Sequence, residues 1–309
     1  MKSFERISRS LSLLSLCFAM ILPSLTANGA VIADDRPLNI GDVLIGPCGV
    51  PGAMGPTGVN DDFTNRSVNT GIANVPPGGV TTAAATVVFM NTVQNTGAGD
   101  DVLVISAPTS PAGFMVEISI DNGDHYFRLA PANPSVTMAI GYRAAAIMLV
   151  RITAPAGLEI LTGFDTVIRV TSTATPTATN DTIDRLYTGF IRLDKSATVV
   201  NATGTNGSAI ATPGAEVEFA ITYSNVSSAS GVGNSLLTAH NLVITENGNA
   251  APNNWGLTTE HIVGASDTQG GHIIGDRDGS TSLTDIVSTL EAGQSGVFKF
   301  KRKVKNVTR

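Results

Sequence analysis

The sequence predicts an all-β protein assembled as two tandem β-sandwiches. Composition is the first reason: the 309 residues are rich in Thr, Ala, Gly, Val, Ser and Asn, with only 14% charged and 5% aromatic residues, a bias that suits strands and turns more than helices. The second is patterning. Short alternating or β-branched runs recur along the chain and are separated by Gly, Pro, Asn and Asp clusters, with turns about every 8 to 12 residues, the spacing of a sandwich. The third is that these runs fall into two series of similar order, as if one module were used twice.

Taken from the N-terminus, MKSFERISR places Lys2, Arg6 and Arg9 before the apolar run LSLLSLCFAMILPSL, which gives way to the small residues of TANGAVIA. That order is the pattern of a secretory signal peptide over residues 1–33, and the apolar part is shorter than the ~20 residues that span a bilayer. Removal of this segment takes away a net +2 and leaves −8, against −6 for the whole chain. An acidic chain whose single basic run is KFKRKVK has little with which to neutralise phosphates, so nucleic acid is excluded as a partner. Alternation of Phe298, Phe300 and Arg302 with Lys299, Lys301 and Lys303 instead reads as one strand with a charged face, of the kind that protects a sheet edge.

Residues 34–80 read as a Gly/Pro-rich lead-in. Within it, GPCGVPGAMGPTG (46–58) makes four Gly-X-Y triplets. A collagen helix needs many such triplets, because Gly must recur at the crowded axis throughout. Here the frame stops at VNDDFTNRS, so the glycines are read as serving tight turns in a segment that wraps the first sandwich or stays mobile. After export Cys48 would be the lone cysteine, which leaves either a buried, inert thiol or an intermolecular disulfide.

The first sandwich is placed at 81–189, on the runs ATVVFMNTV (85–93), DVLVISA (101–107), FMVEISI (114–120), SVTMAIGY (135–142), AIMLVRITA (146–154) and TVIRVTSTA (166–174). After a short, stiff link in YTGFIRLD, the second sandwich occupies 190–309. Its runs are SATVVNA (196–202), AEVEFAITYSNV (215–226), HNLVITE (240–246), a looser stretch at LTTEHIVGA, SLTDIVSTL (282–290) and GVFKFKRKV (296–304).

These second-half residues carry a resemblance. LDKSATV, ATPGAEVEFAITYSNVS, AHNLVITENG and LEAGQSGVFKFKRKV resemble the DUF11 repeat of bacterial envelope proteins: a lysine-bearing first strand, a Pro-Gly turn, a strand ending in Thr-Asn, an Asn-Val-Val-Val-Thr-Asp strand, and an Ala-Pro-Gly-Glu-Ser turn before the final strand. The stretch TENGNAAPNNWGLTTEHIVGASDTQGGHIIGDRDG departs from that pattern, and the first half is similar less sharply. The resemblance implies immunoglobulin-like sandwiches with a structural or adhesive part at a cell surface, and it brings no shared catalytic residues.

Chemistry-bearing motifs are sparse. In IGDRDGSTSLTD, Asp276, Asp278 and Asp285 fall at positions 3, 5 and 12 of an EF-hand-like loop, but Ile274 stands at position 1 and Asp replaces the usual Glu at the end. Either a calcium site or a solvated turn fits. Asp100, Asp101, Asp121 and Asp124 offer further acidic loops, while the four histidines show no zinc-ligand spacing and no nucleophile elbow or phosphate loop is present. Trp255, beside Asn253 and Asn254 in a loop, reads as a sugar-stacking platform or as a plug in its own core. Lys195 with Asn306 and Glu216 or Glu218 fits the outline of an intramolecular isopeptide set, or of plain surface residues.

The expectation is therefore an exported, non-enzymatic protein of the cell surface or matrix, with no cofactor unless calcium. Its partners would be other envelope or matrix proteins, or its own copies through sandwich edges. The alternatives are a secreted carbohydrate-binding module, with glycans held at Trp255, and a hydrolase on the same scaffold using paired carboxylates.

Overall fold

A computed structural model describes residues 42–68, 78–201, 211–228, 231–251 and 254–306. The signal peptide of the sequence reading and Asn253 lie outside them. The described chain is all-β apart from one short helix, and it forms two sandwiches of two sheets each.

The first sandwich begins earlier than the sequence suggests. Its strands are β1 (Val43–Pro47), β2 (Asp62–Ser67), β3 (Ala85–Asn95), β4 (Asp101–Thr109), β5 (Met115–Ser119), β6 (Phe127–Leu129), β7 (Ser135–Ile140), β8 (Ala145–Ala154), β9 (Gly163–Ser172) and β10 (Thr179–Tyr187). One sheet runs β1-β3-β8-β5-β6 and the other β2-β10-β9-β4-β7. The arrangement β1-β3-β8-β5 against β10-β9-β4 is that of an immunoglobulin constant-type domain. The supposed lead-in is thus structural. β1 closes one sheet by pairing with β3, and β2 crosses over to pair in parallel with β10. Glycine serves close approach at the end of β1, where a Cβ on Gly46 would lie 2.4 Å from the Val50 carbonyl oxygen.

The core lies between the sheets and is built from the inward side of each alternation. Val43, Ile45, Phe89, Leu103, Ile105, Ile118, Ile152, Ile168 and Val170 are fully buried there. Each such side chain contributes about 1.5–3 kcal/mol through loss of contact with water.

The second sandwich follows after three residues. It comprises β11 (Ile191–Asn201), β12 (Glu216–Asn225), β13 (Ala239–Asn247), α1 (Trp255–Thr258), β14 (Thr259–Asp267), β15 (His272–Ile274), β16 (Ser282–Leu290) and β17 (Ser295–Val304), in sheets β11-β12-β17-β14 and β13-β16-β15. The Lys/Phe strand β17 is central, between β12 and β14, and not an edge. Its Lys residues face solvent because Phe298, Phe300 and Arg302 fill the inner face.

The two sandwiches repeat one plan. β11-β12-β17-β14 matches β1-β3-β8-β5 in order, and the pair β13-β16 matches β4-β7. Registers agree as well: Val43 pairs with Asn95 as Ile191 pairs with Asn225, which sets Ile45 equivalent to Leu193.

Candidate functional site

The contact between the sandwiches is the most specific arrangement in the molecule. The loop after β12 folds back onto β2, the open edge of a first-domain sheet, and adds one bridge of strand pairing between Thr64 and Ser235. Ser235 N–H donates to the Phe63 carbonyl at 2.9 Å, and Asn65 donates both its N–H and its Nδ2 to the Ser235 carbonyl at 3.2 and 2.7 Å. Asn234 Oδ1 accepts from Phe63 N–H at 3.2 Å, and Val232 accepts from Met54 N–H at 2.9 Å. Gly231 is required at this seam: its φ is +113° and a Cβ would sit 1.9 Å from the Met54 carbonyl oxygen. On the other side of the link the Tyr187 hydroxyl accepts from Ser228 N–H at 2.9 Å. Beside it Arg185, held by Asp165 at 2.5 and 2.8 Å, lies with its guanidinium carbon 4.5 Å from the centre of the Phe63 ring. The Gly/Pro-rich segment is therefore half of a clamp.

Beneath the clamp the first sandwich buries two carboxyl groups. The Asp184 carboxylate accepts both available bonds from Asn91 Nδ2, at 3.1 and 3.0 Å, and Asn91 Oδ1 accepts from Thr64 Oγ1 at 3.0 Å. Asp62 accepts from Thr182 Oγ1 at 2.8 Å, while its Oδ1 has no partner. Burial pushes the Asp62 carboxyl up to about 8, against the pull of the Thr182 hydroxyl, and drives Asp184 well above the ordinary carboxylate range. Burial thus disfavours the charged form of both groups inside the core.

The sequence-predicted sites are dispersed. Asp276 accepts from His261 Nε2 at 2.6 Å and from the N–H groups of Gly264 and Ala265. Burial pushes its carboxyl up, but these donors outweigh burial and hold it low. Asp278 is exposed, and Asp285 points into the core of the second sandwich, where burial and the neighbouring Asp267 raise it to about 6. The structure does not bring the three together, and among the described residues no three His, Cys, Asp or Glu side chains form a metal-ligand group. The other acidic loops are taken up in turns: Asp101 accepts from Ser172, Thr173 and Ala174, Asp100 from Tyr142 N–H, and Asp121 from Ser119 and His125.

Trp255 is 7% exposed and belongs to the second core, so it offers no open face for a sugar. Its ring lies 4.1 Å from the guanidinium carbon of Arg302 and 5.8 Å from the centre of the Phe300 ring. Arg302 is buried in turn, donating to Thr259 Oγ1, Thr259 O and Ser280 O, and burial lowers it to about 10. Asn254 precedes the helix without capping it. Cys48 lies half-buried in the turn after β1, and its N–H donates to Met90 O.

Lys195 meets neither Glu216 nor Glu218. Its register partner on β12 is Ile221, which points to the opposite face from Glu218, and its ammonium pairs with Glu246 across the sandwich at 2.5 Å. Sequence reasoning missed the clamp and the buried acids because both depend on contacts far apart in the chain.

No family model matches the chain, and no curated protein matches it either. Among solved structures, the C-terminal domain of the Streptococcus pyogenes antigen I/II-family protein AspA aligns over 87% of this chain and 92% of its own, at 7% identity and a TM-score of 0.36. The C-terminal domain of the Streptococcus agalactiae polypeptide BspA aligns over 82% and 90%, at 9% identity and a TM-score of 0.30. The N-terminal domain of PorA aligns over 48% of this chain and 98% of its own, at 14% identity and a TM-score of 0.30.

Proposed function

We propose that this protein is an exported, non-enzymatic structural or adhesive component of a bacterial cell surface or extracellular matrix, in which two sandwiches act as one rigid mount for exposed loops and edges. The clamp supports this reading. Domains joined only by a link rotate independently by default. Here Ser235 adds backbone hydrogen bonds to the edge of the partner sheet and fixes the relative position of the two units. Such stiffness serves display, because loops held at fixed separation lose less entropy when they engage a partner. The glycan-binding alternative loses its anchor with the burial of Trp255.

Fractionation of the producing cells tests the proposal. The mature protein, followed by antibody, is expected in the washed envelope or matrix fraction. Recovery as a soluble monomer in the culture supernatant contradicts it.

A further inference from the structure

The second sandwich brings two carboxyl groups together where the chain crosses from one of its sheets to the other. Asp267 closes β14 in the sheet β11-β12-β17-β14, and the turn 268–271 makes the crossing. β15 then joins the sheet β13-β16-β15, paired among the described residues with β16 alone. Asp285 stands in the middle of β16, opposite Ile244 of β13 and Ile273 of β15, and is fully buried.

Gly271 is the point at which the two acids meet. Its N–H donates to Asp267 Oδ1 at 2.9 Å, and a Cβ on it would lie 2.0 Å from Asp285 Oδ1. Asp267 is well supplied with donors: Gln269 N–H reaches its Oδ1 at 2.7 Å and the Tyr223 hydroxyl its Oδ2 at 2.6 Å. Asp285 is not. Both of its oxygens are buried without a donor, the Ile286 N–H lies near without the geometry of a bond, and the side chain that meets it is the Asp267 carboxyl. Two carboxyl groups in contact repel when both are charged and attract when one carries a proton.

The surrounding elements supply no counter-charge. Glu246, on the same face of β13 as Ile244, is paired with Lys195 of β11 at 2.5 Å. β17 turns Phe298 and Phe300 inward and its lysines outward, while Arg302 is spent on Thr259 and Ser280. His261 of β14 is held by Asp276, and His272 of β15 is exposed.

We propose that one proton shared between Asp267 and Asp285 is a latch that holds β15 and the 268–271 crossing onto the second sandwich, closed in acid and loosened when the proton leaves to solvent. The acidity of the pair agrees: burial, and then the neighbouring Asp267, raise the Asp285 carboxyl from 3.8 to about 6. The folded state thus binds the proton more tightly than the unfolded one. Its stabilising effect is complete below about pH 4 and is lost as pH rises through about 6. β15 is the segment that yields, because it has three residues, two of them exposed, and such short units open locally at little cost. The latch is independent of the proposed surface role.

Hydrogen exchange of the intact chain tests it, read as protection factors so that the intrinsic pH dependence of exchange cancels. The amides of residues 272–274 are expected to be at least about tenfold more protected at pH 5 than at pH 8, with a smaller change in β12 and β17. The carboxyl ¹³C signals of Asp267 and Asp285 should titrate together near pH 6. Asp285→Asn puts an amide donor in the same space, so it should keep the latch closed and abolish the pH dependence. Tyr223→Phe removes a donor that favours charged Asp267, so it should move the midpoint upward. Protection of 272–274 that ignores pH overturns the proposal, as does separate titration of the two carboxyls near their ordinary value. So does a pH dependence that survives in Asp285→Asn. Should that variant fail to fold, the ¹³C titration of the unaltered chain decides.

Discussion

Asn95 and Asn225 make the same hydrogen bonds at the same place in the two sandwiches. Each ends the second strand in the order of its sheet, is buried, and accepts on Oδ1 the N–H two residues later, from Gly97 at 2.9 Å and from Ser227 at 3.1 Å. Each Nδ2 donates at 2.8 Å into the following loop, to Gly99 O or Leu237 O. It donates again at 3.1 Å to the crossover between sheets that leads into β8 or β17, to Gly141 O or Leu290 O. The side chain thus stitches three loops at one end of the sandwich, a task that needs an amide because both donors and an acceptor are used.

Asn95→Ala and Asn225→Ala should therefore each destabilise their own unit by about 2–3 kcal/mol, because buried carbonyls are left without donors. Denaturant melts of the two variants, with hydrogen exchange to locate the loosened unit, check this.

The first sandwich should lose stability as pH rises. Asp62 titrates at about 8 in the fold but at its ordinary 3.8 when unfolded, so the folded state holds the extra proton between those values. Its stabilising effect is complete below about pH 4 and fades through pH 8. Asp62→Asn keeps an acceptor for Thr182 and cannot ionise. It should match the parent near pH 4, melt higher at pH 8 by at least about 1 kcal/mol, and flatten the pH profile of the melting temperature.

Trp255→Ala should cost about 3–5 kcal/mol in the second unit by opening a cavity beside Phe300 and removing the ring beneath Arg302. As the chain has one tryptophan, its emission should be that of a buried indole and shift to the red on unfolding. Emission of a solvated indole in the folded protein contradicts the packing.

Chelation should leave the fold untouched. Asp276 is spent on His261 and on backbone amides, and Asp285 lies in the core, so EDTA is expected to leave the melting temperature unchanged. A fall on chelation, restored by calcium, would contradict this.

Much of the architecture is legible in the sequence where alternation is apolar against polar. ATVVFMNTV, DVLVISA, SLTDIVSTL and GVFKFKRKV all lie within strands of the structure. The strand β10 is illegible for a physical reason: its inward residues Asn180, Thr182 and Asp184 precede the one apolar member of that face, Leu186, so most of the buried side looks as polar as the exposed one. β1 and β2 are hidden by the glycines and prolines around them, whose role appears only when the loop after β12 arrives. The placement of β17 as an edge failed because its charged face is the outer face of a central strand. Trp255 was readable as either platform or plug, and only the approach of Arg302 decides between them.

The central claim is that the two sandwiches move as one body through the Phe63–Asn65 and Ser235 clamp. Backbone ¹⁵N relaxation of the intact protein tests it most directly. One rotational correlation time shared by both sandwiches is the predicted result, with Gly231→Val, which forces a Cβ against Met54, releasing two shorter and distinct times while both units stay folded. Separate correlation times in the unaltered protein would contradict the account.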